Sequence, residues 1–170
     1  EMRKDIDRLN IITERFSKIG SLPELHDHDV ARATEEAILY LKKRSSQLIQ
    51  WTWGVPTNEI RIPINLPLYS WTLENLIKNG IDAMKGQGGL TIELVERKNE
   101  VVVRVSDTGQ GIAPKNVKRI FNPGFTTKQR GWGLGLSLVR RIIVDYHQGS
   151  IAVLKTEMGK GTTFEIRLKK

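Results

Sequence analysis

The alternating apolar run VVVRVS, residues 101–106, ends on Asp107 and passes straight into the stretch DTGQGIAP. A hairpin turn uses such residues, because Asp bonds its own backbone and Gly accepts positive φ without steric cost. The same arrangement leaves a carboxylate at a strand end with almost no side chain to cover it, since Gly109 and Gly111 follow. A second group lies in WTLENLIKNGIDAM, where Asn75, Asn79 and Asp82 fall at i, i+4 and i+7 and share one narrow helical stripe. Asparagine is a mediocre helix former, and a solvated face accounts for either one alone. The pair also suits a hard cation. Magnesium keeps several waters and takes one or two protein oxygens beside phosphate oxygens, a role open to the amide carbonyl of Asn79. A third group is RGWGLGLSLVRRII, in which Gly131, Gly133 and Gly135 precede an apolar-periodic helix. Backbone amides there are free to point at an anion at a helix N-terminus. The string has neither G-x-G-x-x-G after a strand nor a G-K-[ST] ending, so it matches neither common nucleotide fingerprint.

The elements that must position these groups follow from hydrophobic periodicity. Met2, Ile6, Leu9, Ile12, Phe16 and Ile19 recur at steps of four and three, a bundle-like helix seam that Gly20 and Pro23 stop. One amphipathic helix cannot bury its own seam, so this segment is expected to belong to a bundle whose other helix lies upstream; packing on its own domain is the alternative. Residues 21–29 read as a linker. A second helix is expected from Asp29 to about Arg44, with Val30, Ala33, Ala37, Ile38 and Leu41 on one side. The period then changes to two over 47–54 and 59–64, and a helix spans about Leu66 to Met84. Further strands fit 90–97, 101–106, 149–155 and 162–168, with a helix over about 134–147. Short turns such as Lys98 to Glu100 imply antiparallel pairing. The expected fold is a two-layer α/β sandwich (α+β), with a mixed, mostly antiparallel sheet, helices on one face, and the N-terminal bundle helix attached.

Composition bounds the function. The 170 residues suffice for one domain with a full core plus an appendage. No apolar run approaches the roughly 18 to 20 residues of a membrane span, and no signal-peptide pattern opens the chain. This piece is therefore expected to be soluble and cytoplasmic. The first residue is Glu1, which suggests a portion of a longer protein and leaves a membrane anchor in that parent open. Without cysteine there are no disulfides and no thiolate metal sites, and 27 basic against 19 acidic residues leave a net charge of +8. Such a balance favours an anionic partner: nucleic acid, a phosphate-bearing ligand or an acidic protein.

Taken in order, these segments resemble the Bergerat-type ATP-binding fold shared by histidine kinases, DNA gyrase, heat-shock chaperones and mismatch-repair ATPases. ENLIKNGIDAM looks like the N box, DTGQGI the first glycine box, IFNPGF the F box, GWGLGL the second glycine box, and GKGTTF the closing strand motif. GLGLSLVRRII and the lid sequence FNPGFTTKQRGWG look most like the catalytic domain of a sensor histidine kinase, and DIDRLNIITERFSKIGS is similar to the second helix of its dimerisation domain. The organisation so implied is residues 1–20 as a partial bundle, 21–29 as linker and 30–170 as the ATP-binding domain. The resemblance implies that Asp107 accepts a hydrogen bond from the exocyclic amine of adenine, that Gly109 and Gly111 let the base approach, and that Thr162 supports the carboxylate or a bridging water. Guanine presents a carbonyl there, leaving a buried acceptor unpaired at a cost of about 1 to 3 kcal/mol or more. By the same resemblance Asn79 holds Mg2+, and Asn75 lies beside the phosphates. Phe121, Phe125, Thr126, Thr127 and Lys128 form a mobile lid closed by Gly131, Gly133 and Gly135, and Ile112, Leu134 and Leu136 line the site within the glycine boxes. Arg119 or Lys128 is implied to reach the terminal phosphate and stabilise charge developing in transfer. Implied partners are a second copy through the bundle helix of the parent and the receiver domain of a response regulator.

The sequence departs from the family in two places. The phosphoacceptor, a histidine followed by an acidic residue and shortly by proline on the first bundle helix, has no counterpart among His26, His28 and His147. LHDHDVA lacks the proline and reads as a solvated linker, a metal site there wanting a third ligand. Asp82 replaces the basic or aromatic residue of many histidine kinases, and either holds water in the magnesium shell or lines the pocket. Two other classes of function remain. A DNA-dependent ATPase of the gyrase or mismatch-repair type suits the charge but should carry a glutamate general base where Asn75 stands; Glu74 falls about 100° away on the helix. That speaks against hydrolysis, and no nucleic acid is expected among the partners. A nucleotide-sensing or docking module without turnover is the other class.

Overall fold

A computed structural model describes residues 23–127 and 133–170. The seam from Met2 to Ile19 and the candidate site residues Lys128 and Gly131 lie outside the described residues. No helix among the described residues is long and apolar enough to cross a membrane.

The first described elements are strand β1 (His26–Asp29) and helix α1 (Val30–Lys42). Asp29 caps α1, its carboxylate accepting from the Ala31 and Arg32 amides at 3.1 and 3.4 Å and from Ile60 N at 3.1 Å. Capping satisfies amides that have no intrahelical partner. The predicted stripe Val30, Ala33, Ala37, Ile38 and Leu41 is buried. Residues 26–29 correct the linker reading: β1 pairs antiparallel with β3 (Arg61–Ile64), placing His26 opposite Ile64, and the Arg61 guanidinium meets Asp27 at 2.9 Å. His-Asp-His-Asp has no apolar alternation. Its strand state comes from the partner it meets 35 residues later. Among the described residues no three His, Asp or Glu side chains are grouped to hold a metal.

Helix α2 (Leu66–Ala83) is the central helix, touching α1, the helix Gly135–Arg141 and the strands Gly88–Glu96, Glu100–Asp107 and Gly161–Lys169. Tyr69, Thr72, Leu73, Leu76, Ile77 and Gly80 form its buried stripe at helical spacing. It starts at Asn65, whose side chain accepts from Leu68 N at 3.2 Å.

The main sheet runs β2 (Ile49–Gly54), β4 (Gly88–Glu96), β5 (Glu100–Asp107), β7 (Gly161–Lys169), β6 (Ser150–Glu157). Only β2 and β4 pair in parallel. Leu90, Ile92, Leu94, Val101, Val103, Val105, Phe164, Ile166 and Leu168 alternate onto the helical face, and none is more than 5% exposed. On the other face Glu165 accepts from Arg104 and Arg167, both at 2.8 Å. The two-layer expectation therefore holds.

Helix α3 (Gly135–Arg141) is shorter than the regular helix predicted over 134–147, because Ile142–Tyr146 widen into a π turn. His147 N reaches the Ile142 carbonyl at 3.1 Å, five residues back, and the His147 imidazole Nδ1 meets the same oxygen at 2.8 Å. The ring and its own backbone amide thus share the carbonyl that the π turn leaves open.

Candidate functional site

Asp107 closes β5 and is only 8% exposed. Its Oδ1 accepts from Gly109 N at 2.8 Å, two residues on, so the strand end and the first turn of the glycine loop share one bond. Burial pushes the carboxyl above its ordinary range, and the amides of Gly109 and Thr162 partly offset that push. Beneath it lies Gly80 of α2, where a Cβ would stand 3.1 Å from Asp107 Cβ and 3.0 Å from Leu90 Cδ1. A glycine inside a helix costs about 1 kcal/mol relative to alanine, so its presence in NGIDAM is explained by this close approach.

The loop itself is wedged between two elements. Gln110 N donates to Ala83 O at the end of α2 (3.1 Å), and Gly159 N in the β6–β7 turn donates to Gln110 O (2.8 Å). Gly111 has φ +73, and a Cβ there would fall 2.2 Å from Glu157 O. The family resemblance implies that Gly109 and Gly111 let a base approach; here backbone neighbours also forbid a side chain at either position. Ile112 N donates to Thr156 Oγ1 at 2.9 Å. Thr162 stands opposite Asp107 in the β5–β7 register and turns its hydroxyl to Thr156 Oγ1 at 3.0 Å. Its support of the carboxylate runs through its backbone amide.

Asn75 is half-buried on α2, its Nδ2 donating to Trp71 O at 2.9 Å. Its Oδ1 would lie 3.0 Å from a Cβ at Gly135, so the N-box helix and the second glycine box meet here. Asn79 follows one turn along, half-buried, and Asp82 is exposed at the next turn. Leu134 and Leu136 flank Gly135 and are half-buried, and among the described residues no side chain caps the first turn of α3. Uncapped amides and the positive end of a helix suit an anion.

After the first glycine loop the chain runs through a short 3-10 turn, Pro114–Asn116, toward the segment of Phe121 and Phe125. Phe121 meets Phe164 of β7 edge to face, with ring centroids 6.4 Å apart. That contact anchors the F box to the sheet. The Arg119 guanidinium lies 5.1 Å from the Phe125 ring centroid, and Gly124 N donates to Gly133 O at 3.1 Å, closing the base of the segment. Thr126 and Thr127 are exposed.

The structure thus gathers Asp107, Gly109, Gly111, Ile112 and Thr162 near the C-terminal end of α2, and brings the segment Gly133, Leu134, Gly135 and Leu136 to Asn75 near the middle of that helix. Gly80 and Asn75 are five residues apart, about 7.5 Å along the helix axis. Thr156 and Gly80 went unread in the sequence. Gly80 had a signal, a glycine inside an apolar helix; Thr156, a threonine in a strand, had none.

Comparison with known proteins agrees with this geometry. The family described as histidine kinase-, DNA gyrase B- and HSP90-like ATPase matches residues 68–170. Sensor histidine kinase ZraS of Salmonella typhi is 35% identical over 173 residues, covering 98% of this chain and 36% of that protein. The chain therefore spans about a third of that relative's length. The catalytic domain of histidine kinase ThkA superposes with a TM-score of 0.78 at 27% identity, over 86% of this chain and 96% of that one. Histidine kinase ThkA in complex with response regulator protein TrrA shares the fold, with a TM-score of 0.79 at 23% identity over 99% of this chain and 49% of that one. Since the matched span carries Asn75, Asn79, Asp107, Thr162 and both glycine boxes, the chain belongs to the histidine kinase-, DNA gyrase B- and HSP90-like ATPase family, and its relatives are sensor histidine kinases.

Proposed function

We propose that this chain is the catalytic portion of a sensor histidine kinase, which holds ATP with Mg2+ and directs the γ-phosphoryl group to a histidine on a dimerisation helix outside the chain. One observation carries the reading: the buried carboxylate of Asp107 on β5 packs against Gly80 of α2, and five residues earlier on the same helix, about 7.5 Å along its axis, the Asn75 amide faces Gly135. A base edge and a phosphate tail would need such a pair of ends.

In this reading Asp107 accepts from the exocyclic amine of adenine, with Gly109, Gly111, Ile112 and Thr162 forming the walls. Asn79 offers its amide oxygen to Mg2+, which supplies charge neutralisation at the phosphates, and Asp82 orients water near it. Asn75, Leu134, Leu136 and the amides of Gly133 and Gly135 stand toward the phosphates, a role the family resemblance also implies for Gly131. Arg119 or Lys128 stabilises the charge that develops on the transferred group, and Phe121, Phe125, Thr126 and Thr127 form the lid around it. An amide at position 75 has no basic site, and its NH2 is already given to Trp71 O, which disfavours hydrolysis by a general base there. The phosphoryl group leaves ADP and is taken by an imidazole nitrogen of the external histidine. None of the three histidines here suits that role; His147, for one, is 5% exposed with both ring nitrogens engaged.

The parent acts as a homodimer through the segment 1–20, passes the phosphoryl group to a response regulator receiver domain, and presents this domain to the cytoplasm. The solved pair of ThkA with TrrA supports the regulator as partner. Two measurements test the reading. Calorimetry should find magnesium ATP bound in preference to GTP, with the preference lost in Asp107→Asn. Radiolabel from γ-labelled ATP should appear as acid-labile, alkali-stable phosphohistidine only when a separate phosphoacceptor domain is supplied. Label on the 170-residue chain alone, removed by His26→Ala or His28→Ala, would place the acceptor within it and refute this account.

A further inference from the structure

We infer that Thr156 is a specificity-determining positioning residue: its hydroxyl fixes the proton of Thr162 and the first glycine loop so that the Thr162 hydroxyl, like the Asp107 carboxylate, offers the base pocket only acceptors. The inference rests on the adenine-site reading above and goes beyond it, because it assigns the discrimination between bases to a residue that touches no base.

The register sets the geometry. Asp107 of β5 stands opposite Thr162 of β7, and Thr162 stands opposite Thr156 of β6. Residues directly opposite one another in antiparallel strands share a face, so one carboxylate and two hydroxyls form a row across three strands. A threonine hydroxyl has one proton and two lone pairs. Thr156 Oγ1 has three partners: the Ile112 amide at 2.9 Å, the Gly161 carbonyl at 3.2 Å and the Thr162 hydroxyl at 3.0 Å. The Ile112 N–H can only donate, which occupies one lone pair. The Gly161 carbonyl can only accept, which takes the single proton. The contact with Thr162 is then satisfied only if Thr162 donates.

The consequence lies in the pocket. With its proton committed to Thr156, Thr162 has only lone pairs left for anything else. Its neighbour across the strand pair is Asp107, 8% exposed and also an acceptor when ionised. Two acceptors can take the two hydrogens of the exocyclic amine of adenine, and both oppose the carbonyl that guanine carries at that position. The same hydroxyl holds Ile112, hence the loop that covers the strand end, against the β6–β7 turn. Without it, Thr162 is free to turn its proton into the pocket and meet a carbonyl, while the Ile112 amide loses its partner.

The test compares Thr156→Val, which keeps shape and removes the hydroxyl, with Thr156→Ser, which keeps the hydroxyl. Binding of magnesium ATP and magnesium GTP to each 170-residue chain is measured by calorimetry. Thr156→Ser should keep the wild-type ratio of the two affinities, and Thr156→Val should lower that ratio by about tenfold or more, as expected for one mismatched buried polar contact. A purely structural role weakens both nucleotides alike and leaves the ratio unchanged; that result overturns the inference. If wild type binds both nucleotides equally, the adenine reading itself fails, which is a separate outcome. Should Thr156→Val not fold, amide hydrogen exchange on the unaltered chain decides: Ile112 N–H must be protected, and fast exchange there overturns the clamp.

Discussion

His147 offers the sharpest test of how the nucleotide helices are held together. Its Nε2 accepts the Asn65 backbone N–H at 3.0 Å and its Nδ1 meets the Ile142 carbonyl at 2.8 Å. A carbonyl can only accept and an amide can only donate, so the ring is neutral with its proton on Nδ1. Asn65 caps α2, the helix of Asn75 and Asn79, and Ile142 ends α3, the helix of the second glycine box. One imidazole therefore pins two site helices. His147→Ala strips the Asn65 amide of its acceptor, a loss of about 1 to 2 kcal/mol, and opens a hole where a buried ring stood, about 1 to 2 kcal/mol more. The Ile142 carbonyl keeps the His147 backbone amide at 3.1 Å, so little is added there. The expected total is about 2 to 4 kcal/mol of folding stability. Burial lowers the His147 pKa below its ordinary value of 6.5, the Ile142 contact opposing. The folded state thus prefers the neutral ring, and between the lowered pKa and 6.5 the unfolded chain binds more protons. Stability from this group is fully present above pH 6.5 and is lost as pH falls through the folded value. Urea denaturation of wild type and His147→Ala across pH 5 to 8 should show a step in wild type that the variant lacks; His26 and His28 remain in both and cancel. A cost under about 0.5 kcal/mol, or a step of equal size in the variant, refutes the pinning argument.

Gly111→Ala should cost about 2 kcal/mol or more, because φ +73 and an oxygen 2.2 Å from the new Cβ leave no relaxed state; a melting temperature unchanged from wild type contradicts this. Gly80→Ala should fail to gain the usual helix benefit of about 1 kcal/mol and should weaken ATP binding, since the methyl meets Asp107 Cβ at 3.1 Å; a variant both more stable and fully binding argues against the contact. Asn79→Ala should weaken nucleotide binding chiefly when magnesium is present, as calorimetry with and without the metal will read; an equal loss in both conditions removes Asn79 as a ligand.

The sequence alone determined most of the elements and their faces. Periods of two and 3.6 are written between near neighbours, so the stripe of α1, the span of α2 and the strands β4, β5 and β7 are legible before any contact is known. The same locality exposed Asp107 at a strand end and the shared face of Asn75 and Asn79. Tertiary structure decided what depends on partners far along the chain. His26–Asp29 become a strand only against β3, and β2 and β4 pair in parallel across an intervening helix. The bond from Ile112 to Thr156 joins residues 44 apart, and that from Asn65 to His147 joins residues 82 apart. A hydroxyl's direction and a ring's tautomer follow from which donor or acceptor the fold brings to them, and no local period encodes that choice.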